Sequence, residues 1–410
     1  VVTADAGLQR PVLRGISSHI ALGLLAVVLF TLPHVVSGYI DTGNGEGWDG
    51  TDYARMLREG WATGTVITQN RPLVVWANWP AYAVTGNAVK AFDVMNYVYA
   101  FALAVMLSLM MERYGASTAA RAVATVCIFL SIPFRLFAFY PVLIDLGACL
   151  VITIALWLIL WGPRWGAAIA CVGAALSREF APAVMLFGVH RDLRRGTPLW
   201  VIAITYLPGA AAFVLLRMAV ARVWAGRQDG INLEFFEQNL RLLSDPMFIG
   251  FFGYFLVTLA GGITIVVATQ PTRCWRLIKE EPEWVSFVLP VLAASLLVGM
   301  DTLRYLTSLL PAVAVFFARC AREWSGRERL LLPAAALGLT VWTQQPFQTM
   351  DTPRYFADWF PYYVWKGEYP RPDPPSLWPE WGWRFIVVTA SVCALLAFQR
   401  GGRPSVVVKT

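Results

Sequence analysis

The sequence predicts an all-α polytopic membrane protein, with about ten spanning helices plus one broken re-entrant pair and external loops that carry short amphipathic helices. Three observations predict it. Of the 410 residues, 57% are hydrophobic and only 14% charged, where soluble domains carry roughly a quarter charged residues. Apolar windows of about 18 residues or more, enough to cross a bilayer, recur along the chain near 16–38, 92–111, 117–138, 142–161, 165–190, 198–223, 246–269, 284–300, 303–320, 329–345 and 383–399. Arginines also gather in short loops between windows, which is the distribution that sets orientation in a membrane.

Arg10 and Arg14 precede the first window, so its start is expected on the cytoplasmic side and the polar loop 39–90 outside. Segment 16–38 shows no cleavage site and is long enough to stay as a helix. Arg113, Arg121 and Arg164 then fall inside. Segment 165–190 has basic residues at both ends, Arg164 before it and Arg191, Arg194 and Arg195 after it. A single crossing there would move Arg319, Arg322, Arg327, Arg329, Arg400, Arg403 and Lys409 outside. Two half-helices that meet at Ser177-Arg178-Glu179-Phe180-Ala181-Pro182 keep all of them inside and leave loops 225–245 and 346–382 outside. Pro breaks the helical hydrogen-bond ladder, and irregular backbone at membrane depth survives only when buried in protein or lining a cavity.

The expected organisation is a transmembrane core over 1–345, a Pro/Trp/Tyr-rich external loop over 346–382, and a last spanning helix with a basic tail over 383–410. Both termini are expected to be cytoplasmic, in the cell (plasma or inner) membrane. The rings of 346–382 (Trp359, Tyr362, Tyr363, Trp365, Tyr369, Trp378, Trp381) form either an aromatic belt at the membrane surface or a lid that stacks on sugar or lipid. The net charge of +7 lies in topology-setting loops and not in a basic, aromatic-rich tract, so no nucleic-acid partner is expected. The six cysteines (127, 149, 171, 274, 320, 393) form no CxxC, and the three histidines (19, 34, 190) have no ligand spacing, so free thiols and no metal are expected.

Four polar constellations converge on the expected outer face. Asp49 and Asp52 open a short amphipathic helix striped by Tyr53, Met56, Leu57 and Trp61. A carboxylate there suits a general base, and it equally suits a helix cap. Asp145 follows Tyr140-Pro141 at the start of the fourth window, where it can orient a hydroxyl, pair with an arginine or cap the helix. Arg178-Glu179 puts charges inside an apolar segment, where ionisable residues usually face a cavity. The Arg178 fork matches phosphate oxygens, and an internal pair with Glu179 or Asp145 is the structural alternative. Asp301-Thr302-Leu303-Arg304-Tyr305 offers a second arginine at the same level, or a surface Asp301–Arg304 pair.

Together, Asp49-Gly50-Thr51-Asp52-Tyr53-Ala54-Arg55-Met56, then Gly60-Trp61, then Arg71-Pro72-Leu73 with Trp76, resemble the start of the C-type glycosyltransferase superfamily (GT-C). The branch resembled is that of protein mannosyltransferases and lipid A aminoarabinose transferases. Asp145 sits where that family has an Asp opening its fourth helix. Ser177-Arg178-Glu179 resembles its Thr-Lys/Arg pair, and Arg304-Tyr305-Leu306 with Leu310-Pro311 resembles its late Arg-Tyr-Leu…Pro helix. The resemblance runs from about residue 15 to 320, and it departs at Gly50, where the family has the second acid of an Asp-Glu pair. Loop 346–382 is also expected to lack the large soluble domain found in many members of that family.

The resemblance implies an inverting hexosyl or pentosyl transfer from a polyprenyl-phosphate-linked sugar to a hydroxyl of a glycan, lipid or protein acceptor at the outer face. Asp49 would be the general base, alone or with Asp52. Arg178 and Arg304 would bind the donor phosphate, with Asp145, Glu179, Tyr53 and Arg71 orienting substrate. No cofactor is implied, and a divalent cation is left open. The rivals are a non-catalytic GT-C-derived subunit and a transporter of a lipid-linked or anionic substrate. A transporter should show broken helices paired between two related halves, and the sequence shows one clear break.

Overall fold

The computed structural model describes residues 16–224, 240–297, 302–362 and 374–401, and among them there is no strand. The first apolar window forms α1 (Ile16–Ser37), which ends at Gly38 in the left-handed region. The polar stretch after it folds as α2 (Asp49–Glu59), α3 (Val66–Gln69), α4 (Pro72–Ala77) and α5 (Trp79–Thr85). As the stripe predicts, α2 buries Tyr53, Met56 and Leu57. Gly60, at φ +103°, ends it before Trp61, which joins a separate 3-10 turn.

The bundle continues with α6 (Ala88–Arg113), capped by the Asn87 side chain, α7 (Thr118–Phe129), α8 (Ile132–Phe139) and α9 (Asp145–Trp161). Next come α10 (Arg164–Ser177), α11 (Ala181–Arg194) and α12 (Leu199–Val223), whose Leu199, Ile204, Leu207 and Leu215 are exposed. The remaining elements are α13 (Pro246–Thr258), α14 (Gly262–Ala268), α15 (Pro271–Glu280), α16 (Glu283–Leu297), α17 (Thr302–Leu306), α18 (Leu310–Arg322), α19 (Glu328–Gln344), α20 (Thr352–Trp359) and α21 (Pro374–Gly401).

By length and composition, five helices among the described residues can cross a membrane: Ile16–Ser37, Ala88–Arg113, Leu199–Val223, Arg304–Arg322 and Trp381–Phe398. The number rises to seven if each bent pair, α7 with α8 (52°) and α13 with α14 (99°), is one span. Asp145–Trp161, Arg164–Ser177 and Glu283–Leu297 are shorter apolar helices. The described residues are therefore all-helical in their regular structure, with five to seven candidate membrane spans.

The break in 165–190 falls where the charges and Pro182 place it. The helices α10 and α11 have 14 residues each, about 21 Å at 1.5 Å per residue. Arg164 at the start of α10 nevertheless pairs with Asp192 near the end of α11. The segment therefore doubles back, with Arg178–Phe180 at its turn. Arg191 donates to the Leu160 carbonyl at 3.0 Å, which sets the far ends of α9 and α11 level.

Two further breaks correct the expectation of a single one. At α7/α8 the Ile132 amide donates to Gln344 Oε1 at 2.8 Å. At α13/α14 the Gly262 amide donates to Thr340 Oγ1 at 2.8 Å. A Cβ on Gly262 would lie 2.0 Å from the Ala336 carbonyl oxygen, so α19 closes onto that bend. Both bends are filled by uncharged side chains of α19, whereas the α10/α11 turn carries charge.

The aromatic segment also differs in part from a belt or lid. Tyr362 is buried and donates to Asp245 at 2.7 Å, and Trp381 is buried against Phe251, Tyr254 and Phe255. Both are core residues. Tyr363, Trp365 and Tyr369 lie outside the described residues, as do Asp301 and most of loop 225–245.

Candidate active site

Five separate stretches bring six charged side chains into one row at the end of the bundle where α9 begins. Asp49 is the first residue of α2, and its Oδ2 accepts from Arg304 Nη1 at 2.8 Å. Arg304, on α17, turns its Nε to Asp145 Oδ2 at 3.1 Å. The other Asp145 oxygen pairs with Arg178 at the α10/α11 turn. Arg178 Nη1 stands 4.0 Å from its neighbour Glu179, which accepts from Arg71 Nε at 2.7 Å. Arg71, just before α4, closes the row by donating to the Tyr53 hydroxyl at 2.9 Å. Charges alternate along the row, three carboxylates against three guanidiniums.

Burial is uneven. Arg71, Asp145, Arg178 and Arg304 are all buried, while the Asp49 side chain is 47% exposed. The row is therefore a largely buried array of alternating charge whose most exposed member is Asp49. Burial raises the Asp49 carboxyl, but the charge and hydrogen bond of Arg304, with Arg71 and Arg178 behind, outweigh it and hold the pKa below the usual aspartate value. Burial acts the same way on Asp52 and there prevails against Arg55, so its carboxyl is raised.

The alternatives left open by the sequence resolve individually. Asp145 opens α9 but makes no side-chain cap, pairing with both Arg178 and Arg304. Arg178 does form the internal pairs named as its structural alternative, with Asp145 and with Glu179, and it lies 5.5 Å over the Tyr305 ring. Arg304 is buried on Asp49 and Asp145, so it is not a surface residue. Asp52 turns to Arg55 and away from the row.

Asp49 makes no side-chain cap either. Trp48 holds the cap position of α2 without a side-chain bond, and the Gly50 amide donates to the Tyr140 hydroxyl at 2.7 Å. A Cβ at Gly50 would lie 2.9 Å from both Tyr140 Cε2 and Val142 Cβ. A side chain at position 50 would thus meet the Tyr140 ring.

Sequence reasoning missed Tyr140, which meets α2 from 90 residues away. It also missed a second charged group behind the aromatic wall. Asp358 on α20 is fully buried and faces Arg135 of α8, Arg354 of its own helix and Arg384 of α21. Burial raises its carboxyl, and the three guanidiniums outweigh that and leave it well below the usual range. An arginine inside the apolar window 117–138 was the available signal. From α20, Tyr355 and Phe356 reach Trp48 at 5.7 and 4.8 Å between ring centroids.

Among the described residues no group of three or more His, Cys, Asp or Glu side chains is arranged to hold a metal ion. Comparison with protein-family models, curated proteins and solved structures finds no match to this chain.

Proposed function

We propose that the chain is an integral membrane glycosyltransferase that moves a sugar from a polyprenyl-phosphate donor to an acceptor hydroxyl, with inversion. The observation that carries the reading is the row itself: buried arginines at one end of an apolar bundle, terminated by a carboxylate open to solvent. A donor phosphate that enters the row competes with Asp49 and Asp145 for Arg304 and Arg178. As Arg304 turns to phosphate, the Asp49 carboxyl loses its largest lowering influence and becomes a stronger base. It then takes the acceptor's proton while the acceptor oxygen bonds to C1 from the face opposite the leaving group. The C1–O bond to phosphate breaks, and its electron pair leaves on polyprenyl phosphate, stabilised by Arg178 and Arg304. Preorganised donors of this kind contribute a few kcal/mol each.

In the same reading the site end faces outward and both termini are cytoplasmic, in the cell membrane. A thiol-reactive label confined to the outside should then reach a cysteine placed at Glu59 and not one placed at Leu193, and the reverse pattern would overturn the orientation.

A second reading has its own support. Six alternating charges neutralise one another without a ligand, as a structural ion network in a non-catalytic subunit would. The reconstituted protein, incubated with a set of polyprenyl-phosphate sugars and acceptors, separates the two. Turnover by wild type and its loss in Asp49→Asn supports the transferase, whereas equal donor consumption by both removes Asp49 as base. Turnover of no donor favours the subunit.

A further inference from the structure

We infer that Tyr140 is a positioning residue that caps α2 from a neighbouring element, leaving the Asp49 carboxylate for Arg304 and the acceptor. In its catalytic consequence the inference rests on the reading of Asp49 as base. The first turn of a helix has amide groups with no partner inside the helix, and a short acidic side chain at or near the cap is their usual acceptor. Asp49 and Asp52 both stand in the first turn of α2, yet the Gly50 amide goes to a tyrosine hydroxyl at 2.7 Å.

The tyrosine has a seat built for it. Gly47 is at φ +67°, and a Cβ there would lie 2.3 Å from Tyr140 Cζ. Gly50 closes the other side, where a Cβ would lie 2.9 Å from Cε2. The ring is backed by Tyr355 at 5.9 Å and Trp48 at 6.2 Å, and Tyr140 is buried. A phenylalanine would fill the same space, so what the hydroxyl adds is the bond to Gly50. With that amide satisfied from outside, the Asp49 carboxylate lies on Arg304 at 2.8 Å.

Tyr140→Phe in the reconstituted full-length protein tests this. The expected result is a kcat lowered about tenfold to a hundredfold, the scale on which a small misplacement of a reacting group acts, with the donor KM within about twofold of wild type. A kcat like wild type, or a donor KM raised as far as kcat falls, would overturn the inference.

Hydrogen exchange of the peptide 47–60 gives a readout that needs no turnover. Asp49→Ala should leave it unchanged while Tyr140 holds the amide, and should speed it severalfold in Tyr140→Phe, where the Asp49 carboxylate has become the substitute acceptor. An equal response in both backgrounds defeats the positioning role. Failure of wild type to turn over any donor defeats only the transferase reading.

Discussion

Arg304 holds Asp49 with one nitrogen at 2.8 Å and Asp145 with another at 3.1 Å, joining residues 255 and 159 positions away. One guanidinium thus links an exposed carboxylate to a fully buried one, and the two should respond differently to removal. Asp145→Asn leaves Arg178 and Arg304 buried without their shared partner, and breaking such a pair costs about 3–5 kcal/mol. Asp49→Asn removes a half-exposed member and should cost under about 1 kcal/mol. Thermal unfolding of the two variants in one detergent checks the contrast.

The pH dependence follows from the sign at Asp49. Its folded pKa lies below the ordinary 3.8, so what its pairing contributes to stability is fully present above 3.8. That contribution is lost as the pH falls through the lower folded value. Arg304→Gln removes the leading depressing influence and leaves burial, which acts upward. The Asp49 titration, followed by carboxylate infrared absorption against Asp49→Asn, should then move to higher pH.

Gly50 should not accept a side chain. Gly50→Ala places a Cβ 2.9 Å from Tyr140 and Val142, and overpacking of this kind costs about 1–3 kcal/mol. Gly50→Asp should lose stability by at least as much and gain no activity, measured by thermal unfolding and donor turnover. A more active Gly50→Asp protein would refute the steric account.

Asp358 should behave as the anchor of α20. Asp358→Asn leaves Arg135, Arg354 and Arg384 without a shared buried carboxylate, with an expected loss of about 3–5 kcal/mol. Because Tyr355 and Phe356 ride on the same helix and contact Trp48, proteolysis between α20 and α21 should quicken and Trp48 fluorescence should change. Unchanged fluorescence at full occupancy would separate the anchor from the site.

Some of this was legible without coordinates. The α10/α11 break was readable because Arg178, Glu179 and Pro182 interrupt an apolar run with basic residues at both of its ends. The amphipathic stripe of α2 was readable because Tyr53, Met56 and Leu57 recur at helical spacing. The bends at Ser131 and Gly261 were not, since the acceptors that make them tolerable, Gln344 and Thr340, lie 212 and 78 residues from the amides they bind.

The sequence by itself determined an all-helical, membrane-suited chain and nominated Asp49, Asp145, Arg178 and Arg304, because hydropathy, periodicity and the cost of charge in an apolar segment are local properties. Only the tertiary structure decided that these residues form one alternating row, that Asp52 stands outside it, and that the Tyr140 ring and hydroxyl meet the start of α2 at Gly50. Ion pairs and close contacts depend on which helix ends the bundle brings level. That is settled by packing between segments 90 to 255 residues apart, and no window along the chain contains it.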